Sequence, residues 1–226
     1  MHTVSAAVGS GLAAVSVSRI SQPWRILLTE SASFVGAVLT GGASQRMGCD
    51  KALMVVGGQF LAVTATQALI KAGAAAVVAV GGDIDGLTEA GLTVVPDGQP
   101  GEGPLGGIIT ALGHFANSVA PLVVLSCDLP AVDPENVRAA VNAVATSTLP
   151  KVGVPVVDGH RQWMHACWTA ATRSSLELAF QHGERSVWRA AETAATSGLR
   201  IVEVTGPVPA GFQDVDRPSD LDASGR

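Results

Sequence analysis

The sequence predicts an α/β protein, a three-layer α/β/α sandwich around a mostly parallel sheet. Three observations carry that prediction. Short Val-rich runs, apolar on both faces, recur between residues 35 and 204, as strands covered by helices on either side must be. Segments with apolar residues at helical spacing separate them, and such alternation builds a layered sandwich. The 26 glycines in 226 residues supply tight turns and close helix-to-sheet packing.

The elements follow in order. "VGAVL" (35–39) is the first strand. The glycine-rich stretch "GGASQRMGCDK" (41–51) leaves its end, and "QFLAVTATQALIKAG" (59–73) is a helix closing on Gly73. "AAVVAV" (75–80) and "LTVV" (92–95) are strands, and "DGQPGEGPLGGI" (97–108) is a second glycine-rich loop running into a helix over 104–116. "PLVVLS" (121–126) is a strand. "DPENVRAAVNAVA" (133–145) is a helix capped by Asp133, with Pro134 in its first turn and Val137, Ala140, Val141 and Val144 on one face. "VGVPVV" (152–157), "HACWTA" (165–170) and "RIVEV" (200–204) complete the strands, with helices near 173–181 and 185–196. An acidic loop, "DVDRPSDL" (214–221), leads to a last short helix. Nothing divides residues 34–226, so they are expected to form one domain.

Residues 1–33 stand apart. They are rich in Ser, Ala and Val and carry no acidic residue before Glu30. That composition is expected of a leader: a transit-like or disordered segment, or the product of a start codon placed too far upstream.

Composition narrows the function. A formal charge of −5 argues against a general nucleic-acid binder, which needs a basic face. An anionic ligand must therefore meet local positive charge. Cys49, Cys127 and Cys167 form neither a disulfide framework nor a zinc site and fit a reducing cytoplasm. No run approaches the ~18 apolar residues of a membrane span.

In open α/β sheets ligands gather beyond the carboxyl ends of the strands. Four polar groups of residues fall there. At the first, Gly41 and Gly42 let backbone approach a phosphate, Arg46 offers a two-pronged donor and Lys51 a point charge. The spacing is neither a P-loop, because Cys49 and Asp50 separate Gly48 from Lys51, nor a dinucleotide fingerprint. At the second, "VVLSCDLP" (123–130), Asp128 is placed either to hold Mg2+ or to cap a turn before Pro130. Asp216 in the acidic loop is a second metal ligand or a helix cap. The loop at 97–108 admits a flat base or ribose, or is an ordinary surface loop. Together they describe a site for a nucleoside triphosphate.

"LTGGASQRMGCDKA", "GEGPLGGI", "SCDLP" and "FQDVDRPSDL" resemble, in order and spacing, the molybdenum cofactor guanylyltransferases of the MobA type, and "HGERSVWRA" (182–190) resembles a late segment of that family. The resemblance runs from about Phe34 to Leu221. It implies a Rossmann-like, mostly parallel sheet of the nucleotide-diphospho-sugar transferase type. It also implies Mg2+-dependent transfer of GMP from GTP to the phosphate of molybdenum-loaded molybdopterin, in the cytoplasm. Carried over by motif, Leu39, Thr40, Gly41 and Gly42 line the nucleotide, as do Gly103, Pro104, Leu105 and Gly106. Lys51 and Arg46 meet its phosphates, Asp97 the nucleoside, and Asp128 the Mg2+, with Asp216 as second ligand. The implied partners are GTP, a molybdopterin-type acceptor, and transiently the molybdate-inserting enzyme and the recipient molybdoenzymes. "LTGG" and "GPLGG" resemble the guanylyl rather than the cytidylyl branch. A cytidylyl- or sugar-phosphate nucleotidyltransferase of the same fold, and a nucleotide-binding protein without activity, are the competing expectations.

Three departures from the family pattern are expected to matter. Thr40 replaces an alanine and brings a hydroxyl near the nucleotide. Gly81 and Gly82 stand where an asparagine is usual, and "GHRQWMHACW" (159–168) replaces a proline-containing segment that faces the acceptor. His165 reads first as a packed core histidine, and Trp163, Trp168 and Trp188 as core or rim packing.

Overall fold

The computed structural model describes residues 34–41, 50–206 and 209–212. Its strands are β1 (Val35–Leu39), β2 (Val55–Val56), β3 (Gln59–Phe60), β4 (Ala76–Val80), β5 (Val94–Val95), β6 (Leu122–Ser126), β7 (Lys151–Val157), β8 (His160–Arg161), β9 (Cys167–Trp168) and β10 (Arg200–Val204). Its helices are α1 (Leu61–Ala72), α2 (Ile84–Glu89), α3 (Pro104–His114), α4 (Pro134–Val144), α5 (Arg173–Gln181) and α6 (Val187–Thr196). The main sheet runs β10-β7-β9-β6-β1-β4-β5, with β8 hairpinned onto β7.

The pairs β1–β4, β1–β6, β4–β5 and β7–β10 are parallel. Strand β9 alone is sandwiched antiparallel, between β6 and β7. The expected strand over 165–170 therefore shrinks to two residues, because the 3-10 turns Trp163–His165 and Ala170–Thr172 bound it on both sides. Since β9 opposes both neighbours, β7 and β10 point the same way as β6 and β1, and all their carboxyl ends share one edge.

Alternation in the strands divides the core in two. On one face Ala37, Leu39, Leu122 and Val124 meet Leu105, Ile108 and Leu112 of α3, Leu176 of α5 and Ala190 and Ala191 of α6. On the other, Val38, Val123 and Leu125 meet Ala65 and Leu69 of α1 and Val137, Ala140 and Val141 of α4. These are the three expected layers. Asp133 caps α4 as its sequence requires, accepting from the Glu135 N–H at 2.8 Å, with Pro134 in the first turn.

Two helices start later than the pattern predicts. Helix α1 begins at Leu61 because Gln59–Phe60 pair back onto Val55–Val56 across Gly57 and Gly58, whose φ values of 59° and 83° suit a tight hairpin turn. Helix α6 begins at Val187 because Glu184 accepts from the N–H groups of Arg185 and Ser186, each at 2.8 Å, and so shapes the turn ahead of it. Those two hydrogen bonds, Ser186 first, lower the Glu184 pKa.

Candidate functional site

The sheet reverses its winding at β1, whose two neighbours β4 and β6 lie on opposite sides. A crevice is expected outside the carboxyl ends at that point, and Lys51 and Asp128 come together there. Lys51, in a 3-10 turn, places Nζ 3.1 Å from Oδ2 of Asp128, just beyond β6. Their side chains are 16% and 21% exposed, so the pair is reachable from solvent yet largely shielded by protein. Asp128 Oδ1 takes no hydrogen bond from the described residues.

Asp50 sets this loop, and the sequence reading missed that role. Its Oδ1 accepts from the Ala52 N–H at 2.9 Å and caps the turn that carries Lys51. Its Oδ2 accepts from the Asp83 N–H at 2.8 Å, beyond β4. One carboxylate thus joins two loops and aims the lysine. The Asp-Lys order in the motif was the available signal; the partner at Asp83 lies 33 residues away.

Thr40 corrects an expectation. Its hydroxyl donates into the end of β4, 2.8 Å from the Gly81 carbonyl oxygen and 3.0 Å from that of Val80. Thr40 is buried, so the added oxygen ties two strands together instead of facing a ligand. The N–H groups of Thr40 and Gly41 both point at the Val80 carbonyl, at 3.1 and 3.0 Å. Gly41 is exposed and lets a ligand approach, but its N–H is already engaged. Leu39 and Leu105 are buried with their side chains in the core, leaving backbone at the rim. Gly42, Arg46 and Asp216 lie outside the described residues.

Gly81 and Gly82 have a reason to be glycine. Their φ values are 75° and 77°, and a Cβ on Gly82 would lie 2.9 Å from the Thr40 carbonyl oxygen and 3.1 Å from Asp50 Oδ2. Gly82→Ala is expected to destabilise the protein by about 2 kcal/mol, from a disfavoured φ and a backbone clash that cannot swing aside. Urea unfolding measures this, and an unchanged midpoint would mean that the turn relaxes freely.

Asp97, past β5, accepts at Oδ1 from the Gln99 N–H (2.9 Å) and the Thr110 hydroxyl (3.0 Å). The Thr110 oxygen in turn accepts from the Gly98 N–H at 3.1 Å, so α3 holds this loop rigid. Gly103 and Pro104 are exposed at the start of α3, while Gly106 is buried. Glu102 beside them receives the Arg185 guanidinium at 2.5 Å. Arg185 also lies over the Phe180 ring at 3.8 Å and donates to its carbonyl at 2.8 Å. The late "HGERSVWRA" segment is thereby fastened to the loop at 97–108.

His165 sits behind Asp128. It is 9% exposed, packs edge-on against Phe212 at 4.8 Å and has no hydrogen-bond partner among the described residues for either ring nitrogen. Burial depresses its pKa to about 4, although the Asp128 charge pulls the other way. It is the packed histidine expected. Cys127 is likewise buried, and its thiol is pushed up to about 12 by burial, then by Asp128, which keeps it from acting as a nucleophile near neutrality. Because the folded His165 resists a proton that the unfolded chain accepts near 6.5, stability falls as pH drops from about 6.5 to about 4 and levels off below. His165→Leu should flatten most of that decline in urea midpoints taken across this range; an unchanged slope would place the acid sensitivity elsewhere.

Comparison with known proteins agrees with the geometry. The profile of the MobA-like NTP transferase domain matches residues 36–196. The molybdenum cofactor guanylyltransferase of Rhizobium meliloti is 30% identical over 192 residues, 81% of this chain and 87% of that one. A probable molybdenum cofactor guanylyltransferase of Methanothermobacter thermautotrophicus is 28% identical over 193 residues, covering 82% and 95%. Among solved structures, molybdopterin-guanine dinucleotide biosynthesis protein A of Archaeoglobus fulgidus superposes with a TM-score of 0.62 at 21% identity, covering 84% of this chain and 96% of that one. The 2-C-methyl-D-erythritol 4-phosphate cytidylyltransferase of Thermus thermophilus superposes with a TM-score of 0.59 at 20% identity, covering 84% and 96%. At such identities the two structures speak to fold alone.

Proposed function

Because the chain belongs to the MobA-like NTP transferase family, a family of nucleotidyltransferases, we propose that it transfers GMP from GTP to the terminal phosphate of molybdenum-loaded molybdopterin. The observation that carries this reading is the Lys51–Asp128 pair at the winding reversal of the sheet. An oxygen of the acceptor phosphate attacks the α-phosphorus of GTP, the bond to the β-phosphate oxygen breaks, and pyrophosphate leaves with that electron pair. The attacking oxygen is already ionised, so no strong general base is required. The barrier lies in bringing two polyanions together and in charge that grows on the leaving group.

This chain's residues meet those demands in turn. Lys51 offsets phosphate charge, joined by Arg46 of the same motif. Asp50 keeps the lysine aimed. Asp97, held by Thr110, is positioned for polar groups of the nucleoside, and the start of α3 borders the nucleotide.

Mg2+ fits the donor set at Asp128. A single carboxylate with one oxygen engaged by Lys51 and the other without a hydrogen bond from the described residues suits an ion that keeps several waters and takes phosphate oxygens. Asp128 would hold it, with Asp216 as the second protein ligand. When bound, the ion supplies charge stabilisation at the phosphates.

The test is pyrophosphate release by purified protein with Mg2+ and molybdenum-loaded molybdopterin, comparing GTP, CTP and ATP. Release with GTP only, dependent on the acceptor, is expected. Release with CTP instead would move the protein to the cytidylyl branch, and no release from folded protein with a working acceptor would overturn the reading. The expected setting is the cytoplasm, with transient contacts to the molybdate-inserting enzyme and to the enzymes that receive the cofactor. No helix among the described residues is long and apolar enough to cross a membrane.

A further inference from the structure

An open bowl of about 490 Å3 lies on the same edge of the sheet as Asp128, and none of the nucleotide motifs contributes to it. Its wall is formed by His160 and Arg161 of β8, Trp163, Trp188 and Glu192 of α6, and Glu203 of β10. The register places it. Strands β6 and β7 both align with β9, so that Leu122 and Val152 face Trp168 from either side. Counting along the strands puts Val156 and Val157 level with Ser126 and Cys127, and β8 pairs Arg161 with Val156 and His160 with Val157. The bowl thus opens at the height of Asp128. Two ladder steps separate β6 from β7, and a third reaches β10, roughly 10 to 15 Å in all.

The lining is aromatic with a few placed charges, the character of a small-molecule pocket in this volume range. Trp188 stands in the first turn of α6 and is 50% exposed, with the Arg189 guanidinium 5.1 Å from the centre of its ring. Trp163 is fixed from behind, stacked on the fully buried Trp168 at 6.1 Å. Between them Arg161 binds Glu203 at 2.8 Å through Nε and Glu192 through Nη1. Both carboxylates use Oε1 for this, and neither Oε2 takes a hydrogen bond from the described residues. Arg161 fixes the two side chains in place, which two exposed glutamates would not otherwise share.

A flat ring bearing adjacent N–H and NH2 donors would satisfy such a wall: its faces against indole, its donor edge on a carboxylate. We propose that the bowl is the acceptor pocket and holds a 2-amino-4-oxo heterocycle, the pterin of the acceptor, with Trp188 as the stacking face and Glu192 and Glu203 as the edge-reading carboxylates. This rests on the reading of the acceptor given above. Guanine has the same donor edge, but the nucleotide loops lie toward β1, β4 and β5, across β6 from the bowl. A span of roughly 10 to 15 Å also suits a substrate whose ring sits in the bowl while its phosphate reaches Lys51 and Asp128. The Arg185–Glu102 bond, next to Ser186 and Trp188, ties the bowl to the loop at 97–108, so both substrates meet the same rigid unit.

The experiment compares wild type with Trp188→Ala and with the double variant Glu192→Gln/Glu203→Gln. All three positions are solvent-exposed enough for folding to survive, which circular dichroism checks. Acceptor KM, GTP Kd measured without acceptor, and quenching of tryptophan fluorescence by neopterin, a 2-amino-4-oxopteridine with a short polyol chain, are read in parallel. The expected result is an acceptor KM raised by about tenfold or more in both variants, with GTP Kd unchanged and neopterin quenching lost in the double variant, whose tryptophans remain. An unchanged acceptor KM in an active enzyme overturns the pocket and leaves the reaction standing. A raised GTP Kd with unchanged acceptor KM assigns the bowl to guanine and overturns it as well. If wild type turns over no molybdopterin, neopterin quenching that depends on the two glutamates still supports a pterin pocket while the acceptor reading fails; absence of quenching then overturns the pocket too.

Discussion

Asp128→Ala should reduce nucleotidyl transfer on the order of 10³-fold or more while leaving the protein folded. The carboxylate lies just beyond β6, with Lys51 on one oxygen and no hydrogen bond from the described residues on the other, so its removal would take away the proposed metal anchor and the partner that steadies the lysine. Little of the core depends on it. The neighbouring Leu129 and Leu125 are buried and supply the packing of this turn, whereas the Asp128 side chain is 21% exposed. An ion pair at that exposure contributes at most about 1 kcal/mol to stability. The measurement is kcat for pyrophosphate release beside a thermal melt. Near-normal kcat in a folded variant would falsify the metal site; a collapse of both would show that the residue is structural.

Lys51→Ala is expected to lower kcat/KM by about 10²-fold, through loss of a preorganised cation at the phosphates. Lysine suits this place for a geometric reason. It projects from a three-residue turn clamped by Asp50, and its compact ammonium reaches Asp128 at 3.1 Å. A guanidinium is broader and planar, so Lys51→Arg should recover only part of the loss. Separate measurement of GTP Kd assigns the loss to binding or to the transition state. Full activity in Lys51→Ala would transfer the charge role to another cation. Asp50→Asn, which weakens the clamp without touching the phosphates, should give a smaller loss in the same direction.

Much of this site could be located in the chain before its fold was known. Strands β1, β4, β6, β7 and β10, and the capped start of α4, rest on local patterns: apolar runs, an Asp-Pro cap, a glycine stop. Asp128 and Lys51 stand out because they follow such patterns at the strand ends, where an α/β sheet binds ligands. The hairpin at 55–60 was missed even though its Gly-Gly turn is a local signal, because Phe60 merges into the helical pattern that follows.

Other features had no local trace. The antiparallel course of β9 depends on two 3-10 turns and on neighbours at 122 and 152, since two residues of strand carry no direction of their own. Thr40 reads as an added hydroxyl at a nucleotide loop; only the approach of Val80 and Gly81, about forty positions on, turns it inward. Gly81 and Gly82 read as a lost side-chain contact, yet the Thr40 carbonyl and Asp50 occupy the space a side chain would need. The bowl joins the 159–163 stretch to Trp188 and Glu192 of α6 and Glu203 of β10, and only the fold brings these distant segments together.

The division has one physical cause. Periodicity, caps and turn preferences act over a few residues and are written in neighbouring letters, so fold class, strand ends and the charged residues beside them can be read directly. Hydrogen bonds such as Asp50 to Asp83, Arg185 to Glu102 and Arg161 to Glu203 join groups 33, 83 and 42 positions apart. Which of those groups meet depends on strand order and register, and these follow from packing the whole chain at once.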